Sequence, residues 1–253
     1  KVKLLVDLCA TYNSIDPDKG IMYGQEGLEL AEKFNWKLGI ANAYGNIGVN
    51  YCFGKSDFTG ALTYFVKALK LYEELGIKAR QAKILNNLGV AYWYQSDYPK
   101  ALDYYFKALK INEEQGNRDE MANTLCNIGI VYNSQEDYPK ALEYMQKTNE
   151  IDKALGNKSG IASDLSNIGE IYKNLSDYSK ALEYDSSALQ LYEELGDKNG
   201  IARNLGNMGV VYASQASYPK ALDYYFKALR ICKEIGLMLG VAANLGNIGS
   251  IYL

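Results

Sequence analysis

Asn87-Leu88-Gly89-Val90-Ala91-Tyr92 is a phrase that this chain repeats. Its frame, asparagine, an apolar residue and glycine with tyrosine three positions further on, returns at Asn127-Ile128-Gly129, Asn167-Ile168-Gly169, Asn207-Met208-Gly209 and Asn247-Ile248-Gly249. Each copy follows the last by 40 residues. Asn46-Ile47-Gly48 with Tyr51 is a further copy, displaced by one extra residue near Gly54. Self-similarity at a fixed period of this size implies stacked supersecondary units in place of one globular core.

One unit can be read from Ala82 to Gly116. Ala82, Leu85, Leu88, Gly89 and Tyr92 fall at i, i+3, i+6, i+7 and i+10, one stripe of a helix that ends near Gln95. Glycine inside a helix costs about 1 kcal/mol against alanine. Its return at Gly48, Gly129, Gly169, Gly209 and Gly249 implies a close approach of a second helix. Ser96-Asp97-Tyr98-Pro99-Lys100, echoed at 136–140 and 216–220, marks the start of that helix, because proline lacks the N–H that a first turn leaves unpaired. Ala101, Leu102, Tyr105, Ala108 and Leu109 form its apolar stripe. Gly116, like Gly76, Gly156 and Gly196, is expected as a left-handed C-cap. Two helices per unit, short turns and no strand pattern predict an all-α solenoid.

The 48% hydrophobic and 23% charged composition is that of a folded protein, and the 23 tyrosines fall mostly at repeat positions. A formal net charge of −3 argues against a phosphate-backbone binder, so no nucleic-acid partner is expected. Cys9, Cys52, Cys126 and Cys232 share no repeat position and show no CxxC spacing. They are expected as buried or free thiols of a reducing compartment, and the location as cytoplasmic. No segment reaches the ~18 apolar residues of a membrane span. The chain starts at Lys1 without methionine and stops within a repeat, which reads as a piece of something longer.

Leu88-Gly89…Tyr92 followed by Ala101…Tyr105…Ala108, and Met208-Gly209…Tyr212 followed by Ala221…Tyr225…Ala228, resemble the tetratricopeptide repeat. The family's early tryptophan is replaced here by Leu85, Leu125, Leu165, Leu205 and Leu245, and by Tyr44 in the first full copy. The period is 40 in place of 34. That longer form is similar to repeats of Pins-type polarity adaptors and of bacterial signalling proteins, in which an array precedes an output domain. The resemblance implies a right-handed superhelical α-solenoid. It divides into a divergent leading copy at 1–39, full copies at 40–80, 81–120, 121–160, 161–200 and 201–240, and the first helix of a truncated copy at 241–253. Met145, Thr148 and Asp185 depart from the core pattern and mark weak places in the stack.

Opposite the core stripe of the first helix lies a second stripe, carrying Lys83, Asn87, Val90 and Tyr94 in one copy, at about 100° per residue. In the resembled family this face lines the concave wall on which extended peptides lie. Its constant member here is asparagine: Asn46, Asn87, Asn127, Asn167, Asn207 and Asn247. A ladder of amides can pair with peptide backbone whatever the side chains. The same amides can instead bond to the neighbouring repeat and fix the stacking. Residues that vary between copies, Lys83, Trp93, Tyr94, Asn123, Asp164, Glu170, Lys173 and Arg203, are the candidates for selectivity. Trp93 and Tyr94 are either an aromatic anchor or interhelical packing. The mixed charges suit a mixed-charge or amphipathic guest. Gly45, Asn86, Cys126, Ser166, Gly206 and Gly246 stand before the ladder asparagines, so the cations of a chaperone-tail carboxylate clamp are absent.

With no histidine anywhere, histidine-based nucleophile systems and HExxH zinc sites are excluded. Glu73-Glu74, Glu113-Glu114 and Glu193-Glu194 recur at one surface position. Neither catalysis nor a cofactor or metal is expected. The reading is a protein-binding scaffold; the alternatives are a sensory module that controls an attached kinase, cyclase or transcription regulator, and a structural spacer. Leu245, Ile248 and Tyr252 lack a second helix, so this edge is expected to favour dimerisation.

Overall fold

A computed structural model describes residues 1–252, and among them every regular element is helical. Two compact units divide between Val131 and Tyr132. In the first unit, α1 (Val2–Thr11) pairs with α2 (Pro17–Lys33), α3 (Lys37–Val49) with α4 (Phe58–Glu74), and α5 (Lys78–Tyr94) with α6 (Tyr98–Gln115). The helix α7 (Arg118–Ser134) runs through the division. In the second unit α8 (Tyr138–Leu155) precedes the pairs α9 (Lys158–Asn174) with α10 (Tyr178–Leu195) and α11 (Lys198–Ser214) with α12 (Tyr218–Glu234), and α13 (Met238–Tyr252) closes it. Successive helices pack on one another from α1 to α6 and from α8 to α13, the pattern of a helix–turn–helix solenoid.

Local chemistry sets the boundaries. Asp57, Asp97, Asp137 and Asp177 accept the backbone N–H three residues on and so cap the second helix of each pair. Pro99, Pro139 and Pro219 occupy the first turn behind that cap position. Gly116, Gly156 and Gly196 end these helices in the left-handed region, at φ of 64°, 69° and 65°. A second series of left-handed residues was not expected from sequence. Ser56, Ser96, Glu136, Ser176 and Ala216, at φ of 54° to 61°, turn the chain within each pair without glycine.

The helical glycines have a definite neighbour. A Cβ on Gly89 would stand 2.5 Å from the ring of Tyr105, one on Gly48 2.6 Å from Phe65, and one on Gly209 2.6 Å from Tyr225. The second helix therefore lays an aromatic ring on bare backbone of the first, and the rings are at most 2% exposed. Burying such a ring contributes roughly 1.5–3 kcal/mol. In the copies that depart from the pattern, Met145 and Asp185 occupy the ring's position, each 1% exposed. Beside this core, tyrosines of the two helices stack face to face: Tyr51 on Tyr64, Tyr92 on Tyr104, Tyr132 on Tyr144, Tyr172 on Tyr184 and Tyr212 on Tyr224, with centroids 5.2–5.5 Å apart.

The extra residue near Gly54 is absorbed as a π-helical turn over Asn50–Gly54 that continues α3. Asn50, wholly buried there, donates to the Cys9 carbonyl at 2.8 Å. All four cysteines are free, and burial pushes the thiols of Cys9 and Cys52 up to about 12. Along α13, Met238 is 73%, Leu239 84% and Tyr252 71% exposed.

Candidate functional site

The first helices of the pairs carry the asparagine series, and three of its members bond backwards by one repeat. Asn46 Nδ2 donates to the Val6 carbonyl at 2.9 Å, Asn127 Nδ2 to Asn86 Oδ1 at 3.1 Å, and Asn207 Nδ2 to Ser166 Oγ at 3.4 Å. Asn167 is half-buried. Asn87 and Asn247, also half-buried, have no hydrogen-bond partner among the described residues. These two line cavities. One of about 260 Å³ in the first unit lies between Asn46 and Asn87 and is bordered by Arg80, Lys83, Val49, Phe53 and Ile84. One of about 410 Å³ in the second lies between Asn207 and Asn247 and is bordered by Asp197, Arg203, Val210 and Leu237.

The variable candidates separate by environment. Lys83 and Asn123 are exposed on the wall. Arg203 is held: its Nη2 donates to the Tyr192 hydroxyl at 2.8 Å, and the guanidinium lies 5.9 Å from that ring's centre. Glu170 and Lys173 form a long ion pair of 4.0 Å within α9. Tyr94 stacks on Phe58 of the preceding pair at 4.6 Å, and half-buried Trp93 meets Tyr94 edge-on at 4.8 Å. Tyr94 is thus packing as well as surface. Asp164 departs from the sequence reading: placed there on the open wall, it is 1% exposed. Burial, with Asp152 facing it from α8, pushes its carboxyl up to about 8.

Sequence reasoning missed the polar layer behind the wall. Asp185, buried in the aromatic position, has its carboxyl pushed up to about 7 by burial, against the pull of Lys173 and of Asn204, whose Nδ2 donates to it at 3.3 Å. Asn204 also reaches Ser166 Oγ at 3.4 Å. The signal was present in one column: Ile84, Thr124, Asp164, Asn204 and Asn244 share a repeat position, polar in all but the first. Arg80 was missed for a different reason. Its counterparts Glu120, Gly160, Gly200 and Gly240 are not basic, so repetition does not draw attention to it.

Among the described residues no group of three or more His, Cys, Asp or Glu side chains is placed to hold a metal ion. No described helix is long and apolar enough to cross a membrane. The sequence profile of the tetratricopeptide repeat matches residues 39–114, 80–154 and 161–234. The chain belongs to the tetratricopeptide-repeat family. No curated protein matches it. Among solved structures, this tetratricopeptide-repeat chain is similar to BtubC (BKLC) from P. vanneervenii, with a TM-score of 0.72 and 20% identity over 88% of this chain and 93% of that one. It is similar to a Rap protein complexed with competence and sporulation factor, with a TM-score of 0.73 and 15% identity over 99% and 85%. It is also similar to NprR in complex with its cognate peptide NprX, with a TM-score of 0.69 and 17% identity over 94% and 66%.

Proposed function

We propose that this tetratricopeptide-repeat chain is a non-catalytic scaffold whose first-helix wall holds an extended peptide segment of a partner protein. The observation that carries the reading is the division of labour within the asparagine series. Asn46, Asn127 and Asn207 are engaged by the preceding repeat, whereas Asn87 and Asn247 keep whole amides without partners among the described residues and border the two cavities. A free amide offers two donors and an acceptor to peptide backbone. Even an engaged one retains its oxygen and a second N–H. The Rap and NprR structures, each described with a bound factor or peptide, support the reading by likeness of fold.

The test separates stacking from binding. A partner captured from lysate and then titrated as a purified protein should lose about 1–3 kcal/mol of affinity on Asn87→Ala/Asn247→Ala, with an unchanged melting curve. Asn46→Ala should instead lower the melting temperature, because it removes the hydrogen bond to the Val6 carbonyl that ties α3 to α1. Unchanged affinity in the first variant rejects the wall as the site.

A second reading is a sensory module in which the guest controls an attached output domain. Guest-dependent activity of the natural full-length protein would select it over a passive scaffold. We place the protein in the cytoplasm and its partners among proteins, not nucleic acids, in keeping with the net charge of −3. The exposed apolar residues of α13 favour association of two copies, which light scattering across a concentration series would detect.

A further inference from the structure

We infer that the junction of α8 and α9 holds a divalent cation of the calcium class, between the carboxylates of Asp152 and Asp164 and the amide oxygen of Asn149. The inference is independent of the peptide-binding reading and concerns the interior behind the wall.

Three oxygen-bearing side chains share that junction, each more than nine-tenths buried. Asp152 lies within hydrogen-bond reach of Asp164, and the two carboxyls repel where both are ionised. Asp164 Oδ2 and Asn149 Oδ1 have no hydrogen-bond partner among the described residues. Asn149 stands one turn before Asp152 on the same face of α8. Asn157 Nδ2 donates to Asp152 Oδ1 at 3.0 Å and fixes that carboxylate. Asp152 Oδ2 lies over the bare backbone of Gly160, where a Cβ would stand 2.1 Å away. The neighbouring lysines are engaged or turned elsewhere. Lys147 and Lys158 bind Glu143 and Glu194 at 2.7 and 3.1 Å, and exposed Lys153 is rotated about 100° from Asp152 around the helix.

The group is peculiar to this place. The position of Asn149 holds Leu69, Leu109, Leu189 and Leu229 in other copies, and that of Asp152 holds Tyr72, Asn112, Tyr192 and Cys232. The position of Asp164 holds Ile84, Thr124, Asn204 and Asn244. Only at this junction are all three columns polar, and only here does any of them carry an acid. A core leucine has given way to an amide whose oxygen finds no donor.

Counting acceptors decides between a proton and a metal. A proton shared by the two carboxyls pairs them with each other and leaves the Asn149 oxygen without a donor. A cation draws all three groups at once; without it, the shared proton takes its place. Among the described residues no cluster of three acids exists, and here the amide oxygen supplies the third ligand. Hard oxygen donors suit calcium or magnesium, not metals that seek thiolate or imidazole. Calcium accepts irregular geometry, whereas magnesium demands an octahedron and keeps its water. With only two carboxylates the site belongs to the weak calcium class, with a Kd of roughly 10⁻⁴–10⁻³ M.

The test uses the whole chain, freed of metal with EDTA and dialysed, and titrates calcium chloride into it by isothermal calorimetry. One calcium should bind per chain, and calcium at roughly ten times Kd should raise the melting temperature by about 3–5 °C. Asp152→Asn/Asp164→Asn should weaken binding roughly tenfold or more, since affinity follows the charge of the ligands. Asparagine already serves these two columns as Asn112 and Asn204, so the double variant keeps the helices packed. Asn149→Leu, which restores the leucine of the other copies, should also weaken binding while raising the melting temperature of the metal-free chain. Magnesium should bind roughly tenfold more weakly than calcium. No calcium bound would overturn the inference. Binding that persists in the double variant would overturn it too, by placing the ion on surface carboxylates, and equal affinity for magnesium would overturn the choice of ion.

Discussion

At the scale of single residues, the second unit contains acids where the other copies hold neutral groups. Asp164 and Asp185 are each 1% exposed, with carboxyls pushed up to about 8 and about 7 from an ordinary value of 3.8. Both retain protons in the fold at pH 6 and release them on unfolding. The unfolded state therefore binds fewer protons, and stability falls as pH rises from about 4 through the folded values. The melting temperature should drop between pH 5 and pH 8, opposite to the usual trend for paired carboxylates. Asp164→Asn together with Asp185→Asn should flatten that profile; an unaltered slope would locate the titration elsewhere. The groups facing them, Asp152 for the first and Lys173, Glu170 and Asn204 for the second, remain in that double variant. Helical periodicity gave the face of Asp164 but not its depth. Depth depends on how closely the next helix approaches, which no single repeat encodes.

At the scale of elements, the repeated glycines make two opposite predictions. Gly89→Ala drives a methyl group into the Tyr105 ring at 2.5 Å and should destabilise by about 1–3 kcal/mol, the usual cost of overpacking. Gly249 has nothing within 4 Å of its would-be Cβ, so Gly249→Ala should be neutral or stabilising by up to about 1 kcal/mol through helix propensity. Ala216, at φ 54°, holds a conformation that glycine adopts freely. Ala216→Gly should raise stability by about 0.5–1 kcal/mol, the left-handed strain relieved less the entropy of the freed chain. Urea midpoints of the three variants check all of these. Helix pairing, the aspartate caps, the proline starts and the glycine stops were readable from sequence because each is set within a few residues. The non-glycine left-handed turns were not: Glu136 and Ala216 carry no local preference for that region, and tertiary packing imposes it. The inserted residue near Gly54 was visible, but its form as a π-turn was not, since a loop would have absorbed it equally.

At the scale of the molecule, a repeat array distributes stability by nearest neighbours, and α13 packs on α12 and α11. Ile248 and Asn244 are the buried residues of α13, against seven in the homologous α11. Amide hydrogen exchange should accordingly be much faster in α13 than in α11, although the two share the Asn-apolar-Gly phrase. Equal protection would mean that another surface covers α13, which is the outcome expected if two copies associate there. The asparagine series shows what repetition in a sequence can and cannot reveal. It marked six equivalent positions, but equivalent letters have unequal duties: Val6, Asn86 and Ser166 one repeat back complete bonds to Asn46, Asn127 and Asn207, whereas the corresponding positions behind Asn87 and Asn247 are Gly45 and Gly206, which offer no side chain.

The stacked tyrosines give the array an optical property. Near-UV circular dichroism depends on fixed aromatic packing and vanishes when it loosens. Five ring pairs of closely similar geometry, spread over both units, make that signal a tally of intact repeats. Tryptophan emission has a narrower view: Trp36 and Trp93 both lie in the first unit. The two spectroscopies, recorded on one sample during unfolding, would therefore separate the loss of the first unit from the erosion of the whole.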